Sequence, residues 1–557
     1  MLHKKIERKI KSILKQKFKN ENKNFLDNIR VFACGDINLG DYSTNLYFLL
    51  SKFFKSNVDS IWFILKNEFQ KLPYIEKIEL NSGYINFFLN KKIFFNNFKN
   101  IILKRNQLIT KNRGLNKKII IEYVSANPTG PLHLGNARGA IIGDFLAKAY
   151  KFLGYKVTKE YYVNDRGKQI DLLAKTFLYH LGKIEKNKDL YKGEYIKEIC
   201  EKHKYQLEKL DFEKIKEFSY KYILNNLIKK TLVNLGTIFD NFYFESDLYK
   251  KSLDKRIFEI LNKKNVLYSK EGALWLDLKK FGEDKDEVLI KSDGEPTYFF
   301  SDILYNYEKL FIRKYDYSII IVASDHHDHI RRLSKTFEFI FGISKSRFKF
   351  IEYQMVHVVS NKEKMKMSKR EGKYVELEQM INEVGNRPIR FYFAKYSPEI
   401  TINFDVELAK KENINNQIWY VLYTYARFYS ILAKAKKLNF KIDTRKNIKN
   451  NLGKAFIYLI DKEIYLKIFR LGEKMIYKLE EAVESLKPNL FLNYILKLCD
   501  LLNNFYEKEK ILEGEEIRKR FKLIFVLYII NLLDLSLSFF NIKPEKKLNK
   551  IVNQDRN

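Results

Sequence analysis

Apolar positions fall along the chain in three regimes. From residue 1 to about residue 113 helical and extended patterns mix. A basic amphipathic helix covers Met1–Asn20, a loop surrounds Gly35–Asp41, and helical spacing runs from Ser43 to Phe54. Two short strand patterns, Ile78-Glu79-Leu80 and Tyr84-Ile85-Asn86-Phe87-Phe88, flank Asn81-Ser82-Gly83, which has the composition of a hairpin turn. A polar, glycine-containing stretch, Lys111 to Lys118, reads as a linker. The second regime opens with the β-branched run Ile119-Ile120-Ile121, turns through Pro128, Gly130 and Pro131, and continues as an Ala/Gly-rich helix over Asn136–Leu153. A second strand over Val157–Val163 and a long helical stretch, roughly 169–235, follow. The short apolar runs Val288-Leu289-Ile290, Ile319–Val322 and Met355–Val359 then have the form of buried parallel strands. In the third regime, from about Asn386 onward, apolar residues recur three and four apart with no strand pattern, as in a helix bundle.

These patterns predict an α/β core: a Rossmann-like parallel sheet split by a helical insertion, an α+β domain before it and an all-α bundle after it. The expected boundaries are 1–113, 114–385 with the insertion near 169–280, and 386–557. A chain of 557 residues is too long for one core, and 46% apolar content suffices for several. Leu523–Phe540 approaches the length of a membrane span, but Asn531 and Asp534 interrupt it, so a buried bundle helix is expected and no membrane partner.

The formal charge of +35 favours a polyanionic partner, with nucleic acid foremost. Lys, Asn, Ile, Phe and Tyr are all over-used, as AT-rich coding produces, so the charge supports that partner without deciding it. Cys34, Cys200 and Cys499 are far apart and form no CxxC pair, which excludes a disulfide framework and a structural zinc ribbon. The first residues lack the apolar centre of a secretory signal, and a cytoplasmic location is the expectation.

Two segments carry chemistry together that neither carries alone. His133-Leu134-Gly135-Asn136 sits at a strand–loop–helix junction, where free backbone N–H groups and the helix dipole favour phosphate. Lys364-Met365-Lys366-Met367-Ser368-Lys369-Arg370-Glu371-Gly372 follows a predicted strand and reads as a cationic loop, able to stabilise charge growing on a pyrophosphate leaving group. Singly, these are a helix cap and a solvated basic loop. In two halves of one split sheet they form a far rarer combination.

The pair resembles the two signatures of class I aminoacyl-tRNA synthetases, and the wording from Glu122 to His133 resembles the arginyl-tRNA synthetase family specifically. Gly40–Asn45, Tyr161–Asp165, Lys291–Tyr298, Ala323–His327 and Tyr423–Arg427 resemble family segments in the same order. The resemblance implies ligation of L-arginine to tRNA(Arg) through an arginyl-adenylate, with ATP and Mg2+ as substrate, no tightly bound metal or organic cofactor, and a monomer. It also implies that bound tRNA is commonly needed for arginine activation. His133, Gly135 and Asn136 are then expected at the ATP phosphates, Lys366, Ser368 and Lys369 at the leaving group, and Asp325 and His326 near the ribose. A guanidinium is planar and permanently charged, and is best met by carboxylates and an aromatic face. Glu122, Tyr298 and Asp302 supply these, with Asn127 expected near the α-amino group. Tyr425 and Arg427 are candidate contacts to the anticodon arm, and the N-terminal domain is expected at the outer corner of the tRNA.

The cluster Asp325-His326-His327-Asp328-His329 invites a metal reading, but adjacent positions at a strand-to-helix junction diverge, and no metal site is expected there. Two departures from the family pattern stand out. Asn136 replaces a frequent histidine and cannot carry positive charge, and Glu371 and Lys373 follow the lysine loop where small or amide residues are more usual. The alternatives are a synthetase of the same class for another amino acid, and a non-catalytic tRNA-binding paralogue.

Overall fold

The computed structural model describes residues 2–18, 23–53, 58–104, 114–360, 363–364, 375–438, 440 and 445–547. At its centre five parallel strands lie in the order Phe348–Tyr353, Tyr317–Ala323, Lys118–Tyr123, Lys156–Val163, Asn241–Phe244. The strand Lys118–Tyr123 is in the middle and covered on both faces, which is why Ile119, Ile120 and Ile121 run unbroken and are buried.

The two faces differ in chemistry. Ile119, Ile121 and Tyr123 face the helix Leu134–Phe152, which continues the motif loop. Its glycines make close packing possible: a Cβ on Gly139 would stand 3.0 Å from the Tyr353 ring, and one on Gly143 only 2.3 Å from Tyr123. On the other face the register sets Glu122 beside Glu160, and Glu160 beside Asn241, so two acids and an amide form a row across three strands. The helix Tyr298–Tyr307 covers this row and ends in a wide π-type turn, Glu308–Ile312. Lys309 in that turn and Arg313 just after it face the acids, so the row is compensated from one segment.

Several expectations need correction. The strand Glu287–Ile290 does not join the parallel sheet; it pairs antiparallel with Ala273–Leu276, which in turn pairs with Leu267–Lys270, in a separate sheet. The fifth parallel strand is instead Asn241–Phe244, inside the expected insertion, where a four-residue run of Asn and three aromatic residues is too short to stand out. Val356–Ser360 lies outside the central sheet, between Glu363–Lys364 and Ile402–Asp405, so the region after residue 386 does contain a strand. In the N-terminal domain the helix begins at Leu46, because Tyr42–Thr44 is drawn into a four-stranded antiparallel sheet. The hairpin at Asn81–Tyr84 forms, with Ser82 and Gly83 at φ 48° and 78°, the left-handed pair a two-residue turn requires.

Among the described residues, six helices from Gln417 to Ser538 form the bundle. The last, Glu516–Ser538, is long and apolar enough to cross a membrane, yet 72% of its apolar window is buried inside the protein. One buried carboxylate ties bundle and sheet together. Asp144, on the motif helix, accepts hydrogen bonds from Tyr123 (3.0 Å), Thr237 (2.7 Å), Arg390 (2.8 Å) and Asn541 (3.2 Å). Arg390 also donates to the Phe540 and Leu235 carbonyls, so every part of its fork is used.

Candidate active site

A cleft of about 610 Å³ opens at the C-terminal ends of the parallel strands, where such sheets bind ligands. Its floor is the exit of the central strand. Val124 and Ser125 both lie in the left-handed region, at φ 69° and 38°, although neither is glycine. Such residues cost about 1–3 kcal/mol each. Hydrogen bonds hold the bend: Tyr162 N donates to Ser125 Oγ (3.1 Å), and Tyr161 OH donates to the Ala126 carbonyl (2.6 Å).

At one end stands the motif turn. His133 is the N-cap of the helix, and its backbone N–H donates to Asn136 Oδ1 (3.0 Å). Asn136 therefore spends its oxygen closing the first turn, leaving its NH2 group for the cleft that it lines. Gly135 is tight for a reason within the chain: a Cβ there would lie 3.0 Å from the His133 ring. Asp325 and His326 form a short turn after the strand Tyr317–Ala323 and line the same cleft, with both side chains mostly exposed.

The other end is a set of paired charges. Lys309 Nζ donates to Glu122 Oε2 (2.5 Å) and lies 3.7 Å from the Tyr305 ring centroid, while Ser125 Oγ donates to Glu122 Oε1 (3.3 Å). Burial raises the Glu122 carboxyl above its ordinary range, with the Lys309 charge opposing. Beside it, burial also pulls Glu160 upward, but the two hydrogen bonds from Arg313 (2.8 and 2.5 Å) and the Lys309 charge win and hold it low. Asp302 Oδ2 accepts from His329 Nε2 at 2.6 Å. Glu245, at the end of the strand Asn241–Phe244, accepts from Ser301 Oγ (2.9 Å), and burial pushes its carboxyl up to about 7, with the charge of nearby Asp302 adding to the rise. The hydroxyl of Tyr162 lines this end and is buried without a hydrogen-bond partner, facing Glu245, Asp302 and Glu122.

The cleft thus gathers Glu122, Asn127, His133, Gly135, Asn136, Asp302, Asp325 and His326. Asn127 Nδ2 is engaged by Gln169 at 2.7 Å. Tyr298 does not line the cleft: it lies one turn before Asp302, at the helix start, and is 55% exposed. Lys366, Ser368 and Lys369, with Glu371 and Lys373, lie outside the described residues. The Asp325–His329 cluster does not converge, since His327 meets Glu352 (2.7 Å) and His329 meets Asp302. Among the described residues no three potential metal ligands come together. Tyr425 is corrected as a stacking platform: it is 4% exposed, packed inside the bundle, and stacking on a base needs an open ring face. Arg427 is half-buried, donates to Asn503 Oδ1 (3.2 Å) and lies over the rings of Tyr423 and Tyr506.

Sequence reasoning missed Lys309, Arg313, Glu245 and the partnership of His329. Glu245 was legible in principle, since it directly follows a parallel strand at the end of the sheet where ligands bind, once Asn241–Phe244 is recognised as a strand; it is buried beside Asp302 and does not itself line the cleft. Nothing local marks Lys309 or Arg313.

Three family models match the chain in order: the Arginyl tRNA synthetase N terminal domain over residues 2–89, the catalytic domain of class I (R) tRNA synthetases over 97–403, and the DALR anticodon binding domain over 421–548. The arginine–tRNA ligase of Thermotoga maritima is 34% identical over 496 residues, covering 86% of this chain and 88% of that protein. That of Caldanaerobacter subterraneus is 33% identical over 517 residues, covering 89% and 90%. The solved structure of Thermus thermophilus arginyl-tRNA synthetase shares the fold, with a TM-score of 0.73 at 19% identity over 98% of this chain and 100% of the other.

Proposed function

The chain belongs to the arginyl-tRNA synthetases of class I, and from that premise we propose how its cleft ligates L-arginine to tRNA(Arg). In the first step the arginine carboxylate attacks the α-phosphate of ATP, giving arginyl-adenylate and pyrophosphate. His133, the Asn136 side-chain amide and the positive end of the helix dipole take the phosphates, and Gly135 leaves room for the His133 ring beside them. Asp325 and His326 hold the ribose. Lys366, Ser368 and Lys369 stabilise the departing pyrophosphate, and magnesium enters with ATP as part of that substrate. Asp302 and Glu245 receive the guanidinium, Tyr298 supplies an aromatic face at its rim, and Glu122 with Asn127 orients the α-amino group. In the second step the 2′-OH of the terminal adenosine attacks the arginyl carbonyl and AMP leaves. Positioning and electrostatics perform both steps without a covalent enzyme intermediate.

The observation that carries this reading is the pairing of acids at one end. Asp302 lines the cleft with Glu245 against it, the Glu245 carboxyl is pushed up to about 7 partly by the charge of Asp302, and a permanent cation between them relieves both. A site for a neutral or acidic amino acid has no use for that arrangement. The bundle would hold the anticodon arm, with Arg427 at its surface edge, and the N-terminal domain would touch the outer corner of the tRNA. The protein would act as a monomer in the cytoplasm.

Arginine-dependent exchange of pyrophosphate into ATP, measured with and without tRNA, tests the reading. Exchange with arginine and not with lysine or citrulline supports it. No exchange in either condition, with tRNA binding intact, would leave a non-catalytic tRNA-binding protein.

A further inference from the structure

Among the described residues, two groups beside Asp302 change charge near neutral pH, Glu245 and His329, and His329 is the one hydrogen-bonded to its carboxylate. Its Nε2 lies 2.6 Å from Asp302 Oδ2, inside the cleft, and the Phe299 ring abuts it edge-on with centroids 5.3 Å apart. Because Asp302 accepts, Nε2 carries hydrogen in the neutral and the charged imidazole alike. The contact therefore persists in both states, and only the charge beside the carboxylate differs. A guanidinium arriving at Asp302 meets a neutral donor in one state and a fixed cation in the other. At this separation two cations in a partly buried cleft repel by an amount that is felt in affinity.

We propose that His329 is a positioning residue for arginine: as neutral imidazole it aims the Asp302 carboxylate at the guanidinium, and as imidazolium it opposes the guanidinium, so that arginine capture is linked to loss of the His329 proton. The inference rests on the assignment of Asp302 to the guanidinium. The groups facing His329 are Asp302 from the helix Tyr298–Tyr307, Glu287 from the strand Glu287–Ile290 and Arg332 from its own helix. Arg332 is itself paired to Glu287. Burial favours the neutral ring, but the hydrogen bond and charge of Asp302 outweigh it, and His329 holds its proton to higher pH than an ordinary histidine. Before arginine binds, Asp302 thus carries a cation of the protein's own at the low end of the physiological range. Glu245, with its carboxyl near 7, is the competing titrating group and needs its own control.

The test is kcat/KM for arginine in aminoacylation, at saturating ATP and tRNA, from pH 6 to 8.5, since this ratio reports groups of the free enzyme. In the wild type it should rise with pH by up to about tenfold per unit before levelling, while kcat/KM for ATP lacks that limb. His329→Gln keeps a donor to Asp302 without the charge: it should flatten the limb to the part Glu245 contributes and stay within about threefold of wild type at pH 8. His329→Phe, which has no donor, should fall about tenfold or more at every pH. Glu245→Gln should keep the His329 limb at a lower level throughout, and adding His329→Gln in that background should leave the profile flat. A limb unchanged in His329→Gln, one that persists in the double variant, or one that vanishes in Glu245→Gln alone overturns the inference, as does a flat wild-type profile, which needs no variant to fold. Asp302→Asn separates the two layers: undiminished arginine kcat/KM there removes Asp302 from the guanidinium and with it the assignment beneath.

Discussion

The described groups at the nucleotide end of the cleft come from two local turns, His133 to Asn136 and Ser324 to His326, whereas the amino-acid end draws Glu122, Asp302 and His329, with buried Glu245 beside Asp302, from four separate elements. The first end works through a helix dipole and a cap, which any sequence able to start a helix there retains. The second works through charges held by partners of opposite sign: Lys309 for the mostly buried Glu122, Arg313 for the buried Glu160 and His329 for the partly exposed Asp302. A locally built site tolerates change gradually. A site built from long-range ion pairs loses much with one residue, because removal leaves a buried charge unmatched.

The sharpest way to break this contrast is Asp302→Asn. Arginine kcat/KM should fall about 10³-fold while the KM for ATP moves less than about threefold. Comparable losses for both substrates would mean that the ends do not act separately. Next in size, Lys309→Met should lower the unfolding free energy by about 3 kcal/mol in urea denaturation, because Glu122 is left buried beside Glu160. Adding Glu122→Gln should restore much of that stability, and a double variant no better than the single would show that packing, not charge, is what Lys309 supplies. At the phosphate end, Asn136→Ala should cost only about 1 kcal/mol in stability, the usual worth of a helix-start cap, with an ATP KM raised about tenfold at most. A loss as large as that of Lys309→Met would erase the distinction.

The smallest effect has a definite sign. Glu245 binds its proton up to about 7 in the folded protein against 4.5 ordinarily, and His329 also holds its proton above its ordinary value. In both cases the folded state binds more protons than the unfolded state, so these groups make the arginine-free protein less stable as pH rises from about 5 toward 8, by at most about a few kcal/mol together. Melting temperatures across that range check it, and saturating arginine should flatten the slope, because a guanidinium favours ionised Glu245 and neutral His329.

The same contrast explains which parts of the cleft are legible in the amino-acid sequence. The turn at His133 is legible because its chemistry is contiguous and its glycine and proline punctuation is local. Glu122 and Asp302 are reached through family wording, and both line the cleft. Lys309 and Arg313 are not legible, since their meaning depends on a π-type turn that points them at a row of acids set by sheet register. Asn241–Phe244 escapes notice as a strand for a related reason: after the amide that answers Glu160 (2.6 Å), only the three aromatic residues Phe242, Tyr243 and Phe244 follow, a run too short to stand out beside the long helical stretch. Conversely Glu287–Ile290 looks like a core strand because a small antiparallel sheet over a hydrophobic cluster needs the same residues.

The buried carboxylate of Asp144 has a consequence for the order in which the protein is made. Its partners Thr237, Arg390 and Asn541 lie 93, 246 and 397 residues downstream. At about 5–20 residues per second, a ribosome needs roughly 20–80 s to reach the last of them. Until Arg390 emerges, Asp144 lacks its guanidinium partner, and until Asn541 emerges the far side of the motif helix is uncovered. The helix that begins the nucleotide loop is among the first parts of the catalytic core to be synthesised and among the last to be seated, so the growing chain gains a finished ATP site only when its bundle has arrived to close it.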